Sequence, residues 1–74
     1  MNDTADLVRL WRQRRGMSQA RLAELAGTGQ AAISRIESGR DLPTLALLDR
    51  IALALDCQLT VAFTSDSGQA PPSA

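Results

Sequence analysis

The sequence predicts a mostly α domain of four helices followed by one C-terminal β-strand, and three observations carry that prediction. Apolar residues recur at helical spacing in four successive stretches, each bounded by capping residues and by glycine or proline. From Gln58 the period changes to two. A length of 74 residues accommodates one small domain and little besides.

The first helix is expected over residues 4–15, with Asp3 or Thr4 as N-cap, Leu7, Leu10 and Trp11 on its apolar face, and Gly16 as the stop. Ser18 caps a second helix over 19–26, which turns Leu22, Leu25 and Ala26 inward and ends at Gly27, with Met17 stapling its entry. A turn, Gly27-Thr28-Gly29, leads to a third helix over 30–38, with Ala32, Ile33 and Ile36 facing the core and Gly39 beyond its end. Pro43 and the capping residue Thr44 open the fourth, 45–55, whose stripe of Leu45, Leu48, Ile51, Ala52 and Leu55 makes it the main supplier of core. Cys57, at the junction that follows, reads as a small apolar filler.

Residues 58–63 are expected to form the strand, with Leu59, Val61 and Phe63 on one side and Gln58, Thr60, Ala62 and the following Thr64 on the other. A lone strand leaves its backbone N–H and C=O groups unpaired, and the chain offers no second strand. The partner is therefore expected from another molecule, most simply a second copy pairing antiparallel across a two-fold axis. A homodimer also suits the size, because a chain this short buries only about 60% of its unfolded surface. The domain is accordingly assigned to 1–64, and 65–74, rich in Ser, Gly and Pro, is expected to be a disordered tail.

Hydrophobic residues make up 45% and charged residues 22%, values of an ordinary globular protein. The longest apolar stretch is interrupted by Asp49 and Arg50, and the N-terminus lacks the layout of a signal peptide, so a cytoplasmic location without membrane attachment is expected. One cysteine and no histidine exclude an intramolecular disulfide and a structural zinc site, and no cofactor is implied. Without histidine, and without paired carboxylates in a plausible pocket, an enzyme is not expected.

Net charge is zero, but its distribution is uneven. Residues 1–40 hold seven arginines against four carboxylates, a balance of +3, and residues 41–74 hold Arg50 against four aspartates, a balance of −3. Such polarity suits a molecule with one face toward phosphate, since binding follows local potential rather than the sum.

The informative stretch is Met17-Ser-Gln-Ala-Arg-Leu-Ala-Glu-Leu-Ala-Gly-Thr-Gly-Gln-Ala-Ala-Ile-Ser-Arg-Ile-Glu-Ser-Gly39. Two short helices joined by a tight turn form a unit in which the second projects side chains into a groove while the first spans the backbone. The stretch resembles the Cro/C1, or XRE-type, helix-turn-helix, whose pattern runs Ser-Gln, Leu-Ala, Gly-Val-Ser-Gln, Ile-Ser, Glu-Gly. The resemblance covers roughly residues 7–56 and implies a lambda-repressor-like fold that binds double-stranded DNA.

By that resemblance Gln30, Ala31, Ser34 and Arg35 face the major groove, where a Gln amide pairs with adenine and an Arg with guanine. Ala31 either touches a thymine methyl or is simply small enough to let the helix approach. Gln19 matches a phosphate contact at the N-terminus of the second helix, and Arg40 and Thr44 are candidates for a second phosphate clamp. Arg12 and Glu37 match a buried ion pair that ties the first helix to the end of the third, and Trp11 is assigned to core. Two positions depart from the pattern: Gly29 stands where Ser or Thr usually caps the recognition helix, and Asp56 stands where Gly is frequent.

The fourth helix and strand further resemble HipB-type antitoxins, dimeric repressors that end in an intermolecular strand pair. That implies an autorepressing antitoxin on a palindromic operator, with a cognate toxin as a further partner. A stand-alone repressor of the same family stands close behind. A protein-interaction module or toxin neutraliser without DNA binding is the reading of a different class, favoured by zero net charge, Gly29 and the acidic second half.

Overall fold

A computed structural model describes residues 3–63 and 65. Four helices follow one another as α1 (Asp3–Arg14), α2 (Gln19–Ala26), α3 (Gln30–Glu37) and α4 (Leu45–Ala54). The expected boundaries of α2 are reproduced. Those of α1, α3 and α4 shift by one residue, since Ser38 and Leu55 are C-caps rather than helical residues and Asp3 is already helical. Thr4 therefore lies inside α1 and does not cap it.

The caps explain why the short helices start and stop where they do. Ser18 Oγ accepts from the Arg21 N–H at 3.0 Å, and Thr44 Oγ1 from the Leu47 N–H at 3.1 Å, each satisfying an otherwise unpaired donor of a first turn. Gly27 ends α2 in the left-handed region (φ 71°), where a side chain is strained, and the Thr28 N–H returns to the Ala23 carbonyl at 2.9 Å. Two arginines finish other helix ends: Arg50 Nε donates to the Ala26 carbonyl of α2 at 2.9 Å, and Arg15 Nε to the Leu55 carbonyl after α4 at 2.8 Å. A cation beside a helix C-terminus also meets the negative end of its dipole.

Val8, Leu22, Ala23, Ala26, Ile33, Ile36, Ile51 and Leu55 form the core, with Trp11, Met17, Leu48 and Cys57 packed against it. Four expected inward residues are exposed instead. On α1, Leu7 and Leu10 point outward and the buried face is Ala5 and Val8, with the Arg12 stem below them. On α2, Leu25 is exposed and Ala23 takes its place, because this helix packs against both α3 and α4 and close approach on two sides favours small residues. At the start of α4, Leu45 is exposed as well, so the core stripe begins lower, at Leu48 and Ile51.

Asp56 adopts φ 56°, the one non-glycine residue with positive φ among those described, which accounts for glycine being frequent at that position. Beyond it, residues 57–63 form neither helix nor strand within the chain. Residues 57–62 border an apolar groove of about 790 Å³ whose other walls include Leu7, Val8 and Trp11 of α1 and Leu48 and Ile51 of α4. Leu59 is half-buried there, whereas Val61 and Phe63 are exposed, Phe63 at 95%. Ser65 apart, the expected tail lies outside the described residues.

Candidate nucleic-acid interface

The residues of α3 divide by environment, with Ala32, expected to face the core, only half-buried between the two sets. Ile33, Ile36 and Glu37 are buried, while Gln30, Ala31, Ser34 and Arg35 are exposed. Spacings of four, 30 to 34 and 31 to 35, stack these exposed positions in two adjacent rows, so one turn of a short helix presents an amide, a methyl, a hydroxyl and a guanidinium together. All four groove-facing positions inferred from the sequence thus share a solvent face.

Glu37 is the joint beneath that face. Its carboxylate receives Arg12 Nε at 2.6 Å and Arg12 Nη2 at 2.9 Å, a fork-to-fork pair between α1 and α3. The pair is enclosed: Glu37 retains 4% of its side-chain exposure and Arg12 14%. Arg12 Nη1 donates to the Met17 carbonyl at 2.8 Å, so the guanidinium is further satisfied by the chain entering α2. The hydrogen bond to Glu37, together with the attraction of its charge and against the cost of burial, holds the Arg12 pKa above its ordinary value.

Gln19 joins the same carboxylate, donating from Nε2 to Glu37 Oε1 at 3.2 Å. An ionised carboxylate only accepts, which fixes the amide with nitrogen inward and leaves Oε1 and the second Nε2 hydrogen for other partners. Glu37 therefore links α1, α2 and α3 through one group. Its contact with Gln19 was not visible in the sequence.

Gly29 opens α3 in an extended conformation (φ −92°, ψ 154°) with no side-chain cap, and only its carbonyl engages the first turn, accepting from Ala32 at 3.1 Å and Ile33 at 3.3 Å. Any L-residue tolerates that backbone, and a Cβ added there meets nothing within 4 Å. Gly29→Ser is therefore expected to stabilise the domain by about 0.5–1 kcal/mol, from a restored cap and a less flexible unfolded chain. A rise in the urea midpoint checks it, and a fall would show that the open turn is needed.

The arginines are less available than their number suggests. Arg12 is internal, Arg15 closes α4, and Arg9, Arg21 and Arg35 pair with Asp6, Glu24 and Asp41. Arg14 and Arg15 lie over the Trp11 ring at 5.1 and 5.3 Å, so that half-buried indole is committed to the protein on both counts. Among the described residues Arg40 alone has a guanidinium without a hydrogen bond, ion pair or ring contact. Thr44 accepts as the cap of α4 and keeps its hydroxyl proton free to donate. Sequence reasoning missed Asp41, which receives Arg35 Nε at 2.8 Å, because a pairing six residues apart across a helix end follows no helical spacing.

Two short helices set by a capped turn, the second exposing a polar row over a buried apolar one, define a helix-turn-helix domain. The chain matches the family described as Helix-turn-helix (HTH_3) over residues 8–61 and belongs to it, a family of DNA-binding transcription regulators. It is 40% identical over 62 residues to the HTH-type transcriptional regulator SutR of Escherichia coli, covering 84% of this chain and 34% of that protein. It is 33% identical over 61 residues to the competence pilus inhibition repressor of Acinetobacter baylyi, covering 82% of this chain and 56% of the relative. The chain thus spans between a third and somewhat over half of the length of these curated relatives. Among solved structures, a chain of a HipA-HipB-O2-O3 complex superposes with a TM-score of 0.72 at 33% identity, covering 86% of this chain and 90% of the other. No helix among the described residues is long and apolar enough to cross a membrane.

Proposed function

We propose that this chain is a sequence-specific, cytoplasmic DNA-binding repressor that acts as a homodimer on a palindromic operator and serves as the autorepressing antitoxin of a toxin–antitoxin pair. The observation that carries the DNA reading is the segregation of α3, with Gln30, Ala31, Ser34 and Arg35 outward on a helix fixed from behind by Ile33, Ile36 and Glu37. In this reading α3 enters the major groove, where Gln30 and Arg35 discriminate bases and each good bidentate pair contributes about 1–3 kcal/mol of selectivity. Gln19, Arg40 and Thr44 hold phosphates, and Gln19 does so from a side chain already oriented by Glu37.

The dimer rests on a separate observation, the segment 58–63 with exposed Val61 and Phe63 beside an apolar groove. Antiparallel pairing with a second copy would satisfy its backbone and cover Leu59, Val61 and Phe63. Two copies of α3 then meet successive major grooves about 34 Å apart. The antitoxin role draws on the likeness to the chain from the HipA-HipB complex, over nine-tenths of that chain. A stand-alone regulator is the second reading, favoured by the two curated relatives.

Footprinting on the chain's own promoter, with variants, tests the proposal. Protection is expected in two symmetric half-sites, with Gln30→Ala relaxing sequence preference and Gln19→Ala weakening cognate and random DNA alike. Protection without two-fold symmetry would remove the dimer, and equal losses on both DNAs for both variants would remove the assignment of base and phosphate contacts.

A further inference from the structure

Arg35 does not wait in solvent as a free side chain. Its Nε donates to Asp41 Oδ2 at 2.8 Å, and its own carbonyl accepts from the Asp41 N–H at 3.3 Å, the Arg40 N–H at 2.9 Å and Ser38 Oγ at 3.1 Å. Asp41 is thus held to residue 35 at two points, through the backbone and through the guanidinium, and the intervening loop is wrapped onto the end of α3. Both side chains remain about half exposed, at 49% and 51%, so solvent screens the pair and it adds little to folding. Among the described residues Nη1 and Nη2 have no partner, and these form the outer fork of the guanidinium.

We propose that Asp41 is a positioning residue for base recognition, holding Arg35 by Nε so that its Nη fork is aimed and ordered before DNA arrives. The inference rests on the reading of Arg35 as a groove contact and extends it to a residue that touches no base itself. Two physical effects give Asp41 its role. An arginine side chain loses considerable rotamer freedom when it docks, and a side chain already ordered loses less. A carboxylate near the phosphates also repels DNA, an unfavourable contribution offset only where a base completes the pairing of the fork. Asp41 therefore raises selectivity rather than affinity at large.

The experiment is selection of bound duplexes from a randomised library by the full chain, its Arg35→Ala variant and its Asp41→Asn and Asp41→Ala variants, with thermal melts of each. The parent is expected to enrich guanine at one position of each half-site. Arg35→Ala loses that preference, and both Asp41 variants weaken it about tenfold at the same position alone, with melting temperature and all other positions unchanged. Affinity for random duplex is the same or higher in the Asp41 variants, as a carboxylate has left the phosphate field. If the Asp41 variants select as the parent does while Arg35→Ala loses the guanine, the positioning role is overturned and the groove contact stands. If Arg35→Ala selects as the parent does, the reading of Arg35 falls and takes this inference with it. A loss spread over all positions with a lowered melting temperature would make Asp41 a structural residue and overturn the proposal.

Discussion

Glu37→Ala is expected to lower stability by about 3–5 kcal/mol, enough to unfold much of a domain whose total is on the order of 5–15 kcal/mol. The loss comes less from a missing attraction than from what remains behind. Arg12, 14% exposed, would keep its charge with only the Met17 carbonyl to receive it, and Gln19 would lose its acceptor. Glu37→Gln, which keeps the shape and removes the charge, should fall between parent and alanine variant. The double replacement Arg12→Met with Glu37→Met should recover most of the loss, because an apolar pair of similar volume replaces a buried ion pair at little net cost. Urea denaturation of the four proteins decides it, and a Glu37→Ala loss below about 1 kcal/mol would show that water reaches the arginine. The sign with pH is also set. Since folding raises the Arg12 pKa, its contribution is fully present below the unfolded-state value and is lost only as pH climbs through the folded one, in strongly alkaline solution. No dependence from this arginine is expected across the neutral range.

Ile33→Ala, one turn earlier on the same helix, is expected to cost about 2–5 kcal/mol, and Ile33→Val about 0.5–1.5 kcal/mol. Ile33 has no exposed surface and sits in the core cluster with Leu22 and Ile36. An eight-residue helix has almost no stability of its own, and α3 lacks a side-chain cap, so its order depends on this burial. Hydrogen exchange should therefore show the amides of α3 opening before those of α2 and α4 in the alanine variant. A uniform loss of protection, or a change in stability below about 1 kcal/mol, would mean that neighbouring side chains close the cavity. Because Ile33 and Glu37 are adjacent turns of one short element, the two losses should not add.

The parts of the fold legible in the sequence were those decided by local chemistry. Ser18, Gly27 and Thr44 act on neighbouring backbone groups, and α2 accordingly begins and ends where its caps place it. The alternation of exposed and buried residues on α3 was legible for the same reason, its period being short and its apolar residues large. What could not be read were decisions made between elements. Leu7 and Leu10 outweigh Ala5 and Val8 in hydrophobicity, yet the smaller pair is buried, because the packing of α1 requires close approach and an ion pair rather than volume. Arg15 and Arg50 enter a sequence reading only as charges, since the carbonyls they reach lie 40 and 24 residues away. The pairing of Arg12 with Glu37 came from family resemblance, not from spacing, as did the groove-facing roles of Gln30, Ala31, Ser34 and Arg35.

The two faces of α3 bear on how such a protein changes over time. Exposed polar positions away from caps and buried networks alter stability by about 0.5 kcal/mol or less when substituted, whereas Ile33, Ile36 and Glu37 hold the helix in place. Under the DNA-reading proposal, the recognised sequence can therefore drift through Gln30, Ala31 and Ser34 while the scaffold stays intact. Duplicated copies could diverge to separate operators without first acquiring compensating mutations in their interiors. Arg35 is the exception, since a new residue there also strands Asp41, and these two positions should change together or not at all.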